Sequence, residues 1–480
     1  MTKLILILSF FFLSLSCFGQ NVKNLNNLQK KTDNYLKETI EVNQIPGAAV
    51  AVIKNGEIIY EQYFGKSSIE ENTTIDKNSI FRFYSTTKLI TTVAVFQLIE
   101  RKKLSLDDKI SKYLFDLPKE WQEVKIKNLV THSSGLPDIV KFEDIPYSLD
   151  ENEKWTRLYE KPTEFEPGDH YSYNQTNYCL LTKIIEKVTG SSFEDHVLKN
   201  QFPNVKKGVV FSARSSELVP NRVIHHAYNF KKKKYERFNA DHGKIHNSGS
   251  GLNMTLKAFI AWNERLDKNK LLSETTKKTM WTSFEYKNKK DKFLHGWSEY
   301  LTNNINSLGF SGGFMTAFRK FTDEDLTIIF LSNGYKYFHI EEKVIDHIAG
   351  IVDEKLIDKK LWTEEDITNA FFKNDNTEAI QTYYSLKNEN PTLNFEDTLI
   401  TIAYTLMSSD RLSDAIKVFE FNIKENPKSV NAFDSLAEGY FNNGQLELSK
   451  ENYKKSLDLN SENKNAKEMI IKIDNLLSKK

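Results

Sequence analysis

Residues 25–42 place apolar side chains at helical spacing and stop short of Pro46-Gly47, which predicts an amphipathic helix. Ala48–Ile53 and Glu57–Phe64 then alternate apolar and polar positions around Lys54-Asn55-Gly56. Asn-Gly between two such runs predicts a β-hairpin. Leu89, Ile90, Val93, Ala94, Val95, Phe96, Leu98 and Ile99 form an apolar run that reads as a buried helix. Much later, Phe314–Phe318 and Leu326–Leu331 predict a second antiparallel pair, joined through Thr322-Asp323-Glu324-Asp325. A helix over residues 340–356 is expected after it. Strands at both ends of a helix-rich segment predict one sheet closed by distant parts of the chain. The fold class is therefore α/β (α+β), an antiparallel sheet flanked by helices with a helix-rich inserted subdomain.

Residues 363–478 follow a different rule, an internal period of 34 residues. Leu399, Ile402, Ala403, Leu406, Ala415, Phe419 and Pro427 recur as Phe433, Leu436, Ala437, Tyr440, Ser449, Tyr453 and Ser461. Large, small and aromatic residues fall where paired helices interlock, and the pattern resembles the tetratricopeptide repeat. A less regular earlier unit stands at Ala379, Tyr383 and Pro391. About three units are needed to bury a continuous face, so this all-α block is expected to lean on the first domain as well. It would either bind a protein or peptide partner or serve as a plain helical cap.

The N-terminus changes the cellular picture. Lys3, an apolar run from Leu4 to Leu15, and Ser16-Cys17-Phe18-Gly19-Gln20 read as a secretion signal over residues 1–19, cut just before Gln20. The run is too short to span a bilayer permanently. A lipid-bearing Cys17 is the lesser alternative, because Ser14-Leu15-Ser16 fits that pattern poorly. The mature chain is expected to be periplasmic or extracellular, with no transmembrane segment. Only Cys179 remains after cleavage, so no intramolecular disulfide can form and stability rests on the core. A net charge of +1 gives nothing that steers the protein to nucleic acid or acidic membranes. Lys231–Lys234, between aromatic residues, reads as a solvated turn between strands.

Candidate chemistry begins at Ser85 and Lys88, just ahead of the apolar helix. A serine hydroxyl needs a nearby base to act as a nucleophile. Residues three apart share a helix face, so Lys88 can reach back to Ser85. Burial disfavours a charged amine, which suits a base. The spacing alone is weak: it recurs at Ser461 and Lys464 in a polar segment, and Ser85 can simply cap a helix.

Three further segments add weight. They are Ile126–Asp138, which contains Thr131-His132-Ser133-Ser134-Gly135; Glu166-Pro167-Gly168 with Tyr171–Leu181 after it; and Leu308–Phe314, which contains Phe310-Ser311-Gly312-Gly313. In this order the motifs resemble the serine β-lactamase and penicillin-binding-protein superfamily, in its class C-like branch with esterases and D-amino-acid peptidases. The likeness runs from about Leu25 to Leu356, and Gly249-Ser250-Gly251-Leu252 and Gly296-Trp297 also resemble its segments. It implies a hydrolase domain over residues 20–358.

The resemblance implies Ser85 as the acylated nucleophile, Lys88 as its proton partner and Tyr173 as a second base and acid. It implies an oxyanion hole from the backbone N–H groups of Ser85 and Gly313, with Gln175, Phe310, Ser311 and Gly312 lining the substrate site. Two residues depart from the pattern. Gln175 stands where the family has Asn, one methylene further out. Phe310 stands where the family has Lys or His, and cannot hold a substrate carboxylate. Penicillin turnover is then disfavoured against a neutral ester or amide, or a D-residue peptide; a scaffold with little activity, acting through its C-terminal repeats, is the alternative. His132 is expected to tie a loop, and no cofactor or metal is expected, His242 and His246 included. Residues 138–164 and 212–247 are expected to roof the site.

Overall fold

The computed structural model describes residues 25–203, 205 and 207–479; the expected leader and its Cys17 lie outside them. A helix over residues 25–42 (α1) leads into strands β1 (Gly47–Lys54), β2 (Glu57–Ser68) and the short β3 (Thr73–Thr74). The remaining strands of the main sheet come from the far end of the domain: β4 (Ser298–Thr302), β5 (Ile305–Gly312), β6 (Thr316–Phe321) and β7 (Leu326–Ser332). The order across the sheet is β3-β2-β1-β7-β6-β5-β4. The first hairpin turns at Asn55 (φ +52°) and Gly56 (φ +75°), the two left-handed positions that match strand twist. Sheet closure is made by β1 and β7, antiparallel from Ala48 opposite Ser332 to Lys54 opposite Leu326.

Both faces of the sheet are covered. Ala49, Ala51, Phe310, Phe318, Ile329 and Leu331 pack toward the helix-rich insert. Ala48, Val50, Val52, Ala317, Ile328 and Phe330 pack toward α1 and a helix at Glu341–Val352. The expected alternation of apolar and polar positions does not hold for β1, which is an almost unbroken apolar run because both of its faces are buried. Within the insert, α2 (Thr87–Glu100) is buried from Thr87 to Leu98 and α3 (Gln175–Thr189) packs beside it. A helix apolar around its whole circumference belongs in a core. The lysine run lies at a hairpin formed by His226–Asn229 and Lys234–Arg237.

One strand expectation needs correction. Phe314 and Met315 lie outside β6, in a turn closed by Met315 N–H donating to the Gly312 carbonyl at 2.9 Å. Gly313 (φ +57°) and Phe314 (φ +59°) are both left-handed, which no pleated strand accommodates.

Helix α4 (Glu341–Val352) packs on β6 and β7. Seven further helices follow: α5 (Lys359–Lys373), α6 (Asn376–Glu389), α7 (Glu396–Ser408), α8 (Leu412–Glu425), α9 (Val430–Asn442), α10 (Leu446–Leu459) and α11 (Lys464–Leu477). Helices α9 and α10 begin and end 34 residues after α7 and α8. The repeat positions Leu399, Ile402, Ala403, Leu406, Ala415, Phe419, Leu436, Ala437, Tyr440, Ser449 and Tyr453 are all buried. The small Gly439 admits the Phe419 ring, which a Cβ there would meet at 3.1 Å. Helix α5 joins the two parts. Its Trp362 stacks on His347 at 4.3 Å, and His347 stacks on Tyr35 of α1 at 3.7 Å. Glu365 hydrogen-bonds both Tyr35 and His347, and Lys373 pairs with Glu38 at 2.8 Å.

Candidate active site

Ser85 stands at a chain reversal. Strand Ile80–Arg82 pairs with Leu252–Thr255, then a single tight turn, Tyr84–Thr86, feeds α2. Tyr84 takes a left-handed φ of +45°, sparsely populated for a bulky residue. Two anchors hold it there. The buried Arg82 guanidinium sits 4.8 Å from the Tyr84 ring centre while donating to the carbonyls of Ala240 (2.8 Å), Ala213 (3.0 Å) and Ser250 (3.2 Å). The Tyr84 hydroxyl bonds His225 Nδ1 at 2.7 Å. Ser85 makes no helix cap: the capping position is Thr86, which makes no side-chain cap bond.

The turn is pressed onto the end of β5. A Cβ on Gly312 would fall 2.8 Å from the Ser85 nitrogen and 2.4 Å from the Phe83 carbonyl oxygen. Thr316 Oγ1 donates to the same Phe83 carbonyl at 3.1 Å and meets Thr86 Oγ1 at 2.9 Å. Glycine is thus required where the nucleophile turn and the strand touch. Gly312 stands beside Ser85, Gly313 lies against the Tyr84 ring, and Ser311 lies across from Ala317 on the neighbouring strand.

Lys88 is fully buried. Its ammonium donates to Gln175 Oε1 at 3.0 Å and to the Gly249 carbonyl at 2.9 Å. It lies 4.8 Å from the Tyr173 ring centre and 5.0 Å from that of Tyr178. These hydrogen bonds do not run to Ser85, as the helical spacing suggested. The Tyr173 hydroxyl takes that place, donating to Ser85 Oγ at 2.7 Å. The Gln175 departure is absorbed locally. Its longer side chain still reaches Lys88, because Gly249 leaves room: a Cβ there would sit 3.1 Å from Oε1.

Tyr173 is held by what surrounds it. Asn174 caps α3 through its side chain, and its N–H donates to His132 Nδ1 at 3.1 Å. His132 is buried, with its ring centre 4.6 Å from that of Tyr173. Burial, and then the nearby Lys88 charge, hold its pKa well below the usual histidine value, so it is a neutral acceptor here. The Gln175 N–H donates to Asp138 at 3.0 Å; burial raises the pKa of that carboxyl. Phe310 is buried and stands near the rings of Tyr173 (6.5 Å) and Phe293 (6.3 Å). An apolar wall occupies the position expected for a cation.

The two segments expected to roof the site meet each other where Tyr147 stacks on His242 at 4.4 Å. Burial lowers the pKa of His242 to about 4 and that of His246 to about 3. Among the described residues, no group of three or more His, Cys, Asp or Glu is placed to hold a metal ion, and no helix is long and apolar enough to cross a membrane. Gly249, Tyr178 and Asp138 were given no role by sequence reasoning. All three stood inside or beside the quoted motifs, but nothing local showed that they face Lys88 or hold Gln175.

Comparison with known proteins bears on the family and the fold. The family model described as Beta-lactamase matches residues 32–350. Penicillin-binding protein 4* of Bacillus subtilis (strain 168) is 24% identical over 358 residues, 68% of this chain and 78% of that protein. The octameric penicillin-binding protein homologue from Pyrococcus abyssi superposes with a TM-score of 0.59 at 21% identity, over 70% of this chain and 81% of the other. The D-amino acid amidase from Ochrobactrum anthropi SV3 gives 0.56 at 17% identity, over 69% and 99%. At such identities the two structures speak for the fold.

Proposed function

We propose that this chain, which belongs to the Beta-lactamase family, is an exported serine hydrolase that acylates Ser85 with a small ester, an amide or a D-residue peptide. The observation that carries the reading is the 2.7 Å contact between Tyr173 and Ser85 Oγ, with the Lys88 ammonium beside the Tyr173 ring.

In this reading the Tyr173–Ser85 hydrogen bond reverses as reaction begins. For this Tyr173 first gives its own hydroxyl proton to solvent; the resulting phenolate, its negative charge balanced by the Lys88 ammonium, then takes the proton of Ser85. Oγ attacks the carbonyl carbon, and the oxyanion is held by the N–H groups of Ser85 and Gly313. The carbonyl–oxygen or carbonyl–nitrogen bond breaks, and the leaving alcohol or amine takes the proton from Tyr173. Water then gives its proton to Tyr173 and attacks the acyl-serine; the acid departs and Ser85 regains its proton. Phe310 offers no charge to a substrate carboxylate, which favours neutral substrates over penicillins.

The test is hydrolysis of short-chain p-nitrophenyl esters by the mature protein, beside Ser85→Ala. Turnover in the first and background in the second is the expected result. Equal signals would overturn the reading. Export is checked by sequencing the mature N-terminus, expected to begin at Gln20.

A second reading concerns the C-terminal helices. The 34-residue offset between α7–α8 and α9–α10 favours their assignment as tetratricopeptide-type repeats that bind a protein or peptide partner. Should Ser85 prove inert, this block would carry the function.

A further inference from the structure

An aromatic ledge runs past the nucleophile, and no step above uses it. It begins at Phe238, which is 44% exposed and packs on His225 at 4.7 Å. His225 bonds Tyr84, the residue before Ser85. The Tyr84 ring lies against Gly313, where a Cβ would come within 2.5 Å of it. Phe314 follows directly, 55% exposed and stacked on His339 at 3.8 Å. His339 in turn bonds the Tyr335 hydroxyl through Nε2 at 2.5 Å.

Two features separate this row from ordinary surface aromatics. Tyr84 and Phe314 are both left-handed, at φ +45° and +59°, and flank the two amide groups assigned to the oxyanion. Bulky residues rarely adopt that conformation, and such strain collects at functional sites. Two of the cations beside the row are also held. Arg82, behind Tyr84, is occupied by three carbonyls, and Arg237 faces Glu71 at 3.4 Å. Burial lowers the pKa of His225 to about 4 and also lowers that of His339, so both rings are neutral near pH 7.

We infer that the Phe314–His339 stack, with Tyr84 and Phe238, is a subsite for an aryl or large apolar group carried by the substrate that acylates Ser85. The inference rests on the acyl-transfer reading and narrows its substrate class to uncharged esters or amides bearing such a group. Rings stacked edge to face or offset on Phe314 would gain contact area.

The test uses the mature full chain, Phe314→Ala and His339→Ala. One pair of substrates varies the acyl side, p-nitrophenyl phenylacetate against acetate. A second varies the leaving side, benzyl against methyl ester of one acid. The wild type should prefer the aryl member of at least one pair, and Phe314→Ala should cut that kcat/KM ratio about tenfold. Unchanged ratios in both pairs would overturn the inference. If no ester is turned over, the acyl-transfer reading fails by itself. The ledge is then read by saturation-transfer NMR of phenylacetamide against acetamide. Selective phenylacetamide binding that Phe314→Ala abolishes sustains it; absent or unaltered binding overturns it.

Discussion

In the front domain β1 finds its partner β7 almost three hundred residues away, Ala48 opposite Ser332. In the C-terminal block most helices pack chiefly on the next, α6 on α5 and α8 being the exception, and the bounds of α7–α8 recur 34 residues later in α9–α10. The two regions also differ in what they bury. The front domain buries Arg82, Lys88, Lys154, Lys277, Arg319 and Lys320. The buried polar residues of the C-terminal helices are Thr363, Ser409, Asn422, Ser435, Ser449, Asn452 and Ser456, none of them charged. A buried cation is costly unless held. Lys320 and Arg319 have carboxylate partners, Asp267 and Asp346. Arg82 and Lys88 stand three residues either side of Ser85 and donate to neutral acceptors. The contrast teaches where this protein spends stability: at the nucleophile, and not in the repeats.

Breaking the charged side of the comparison should have the largest effect. Lys88→Ala or Tyr173→Phe should each lower kcat/KM for a p-nitrophenyl ester about 1,000-fold. Gly312→Ala pushes a methyl group into the Ser85 turn and should cost about 100-fold, with the loss falling on kcat. The repeat side breaks differently. Phe419→Ala should destabilise the C-terminal helices by about 3 kcal/mol. Hydrogen exchange should show this confined to α7–α10, with ester turnover at the wild-type level.

Acid sharpens the comparison most gently. His225 and His242 both have pKa values lowered to about 4 by burial. A depressed histidine contributes stability that is present above its unfolded value of about 6.5 and lost as pH falls through the folded value. The thermal midpoint should therefore decline between about pH 6.5 and about 4. All ten histidines precede α5, so exchange in α6–α11 should change little over that window. Protection lost first in the repeats would contradict this assignment.

Much of the fold was legible because its signals are short-range. Asn55-Gly56 demands left-handed backbone, and the helix at residues 25–42 announces itself by spacing. The largely apolar run at Leu89–Ile99 became α2, which is buried on every side from Thr87 to Leu98. The 34-residue period survives because each repeat helix needs only its neighbours. Ser85, Lys88, Tyr173, Gln175 and the Gly312-Gly313 pair were picked out by motif and do converge in space.

Other features were decided only when distant segments closed on one another. Sequence spacing put Lys88 on Ser85, but packing gave that contact to Tyr173 and turned the lysine toward Gln175 and Gly249. Phe314 read as the start of a strand, and the Gly312–Met315 turn removed it from the sheet and set it on His339. The sequence by itself determined the elements and the chemical types available at the site. The tertiary structure decided which donor meets which acceptor, because a hydrogen bond is settled within a few tenths of an ångström, by groups that the chain brings together only on folding.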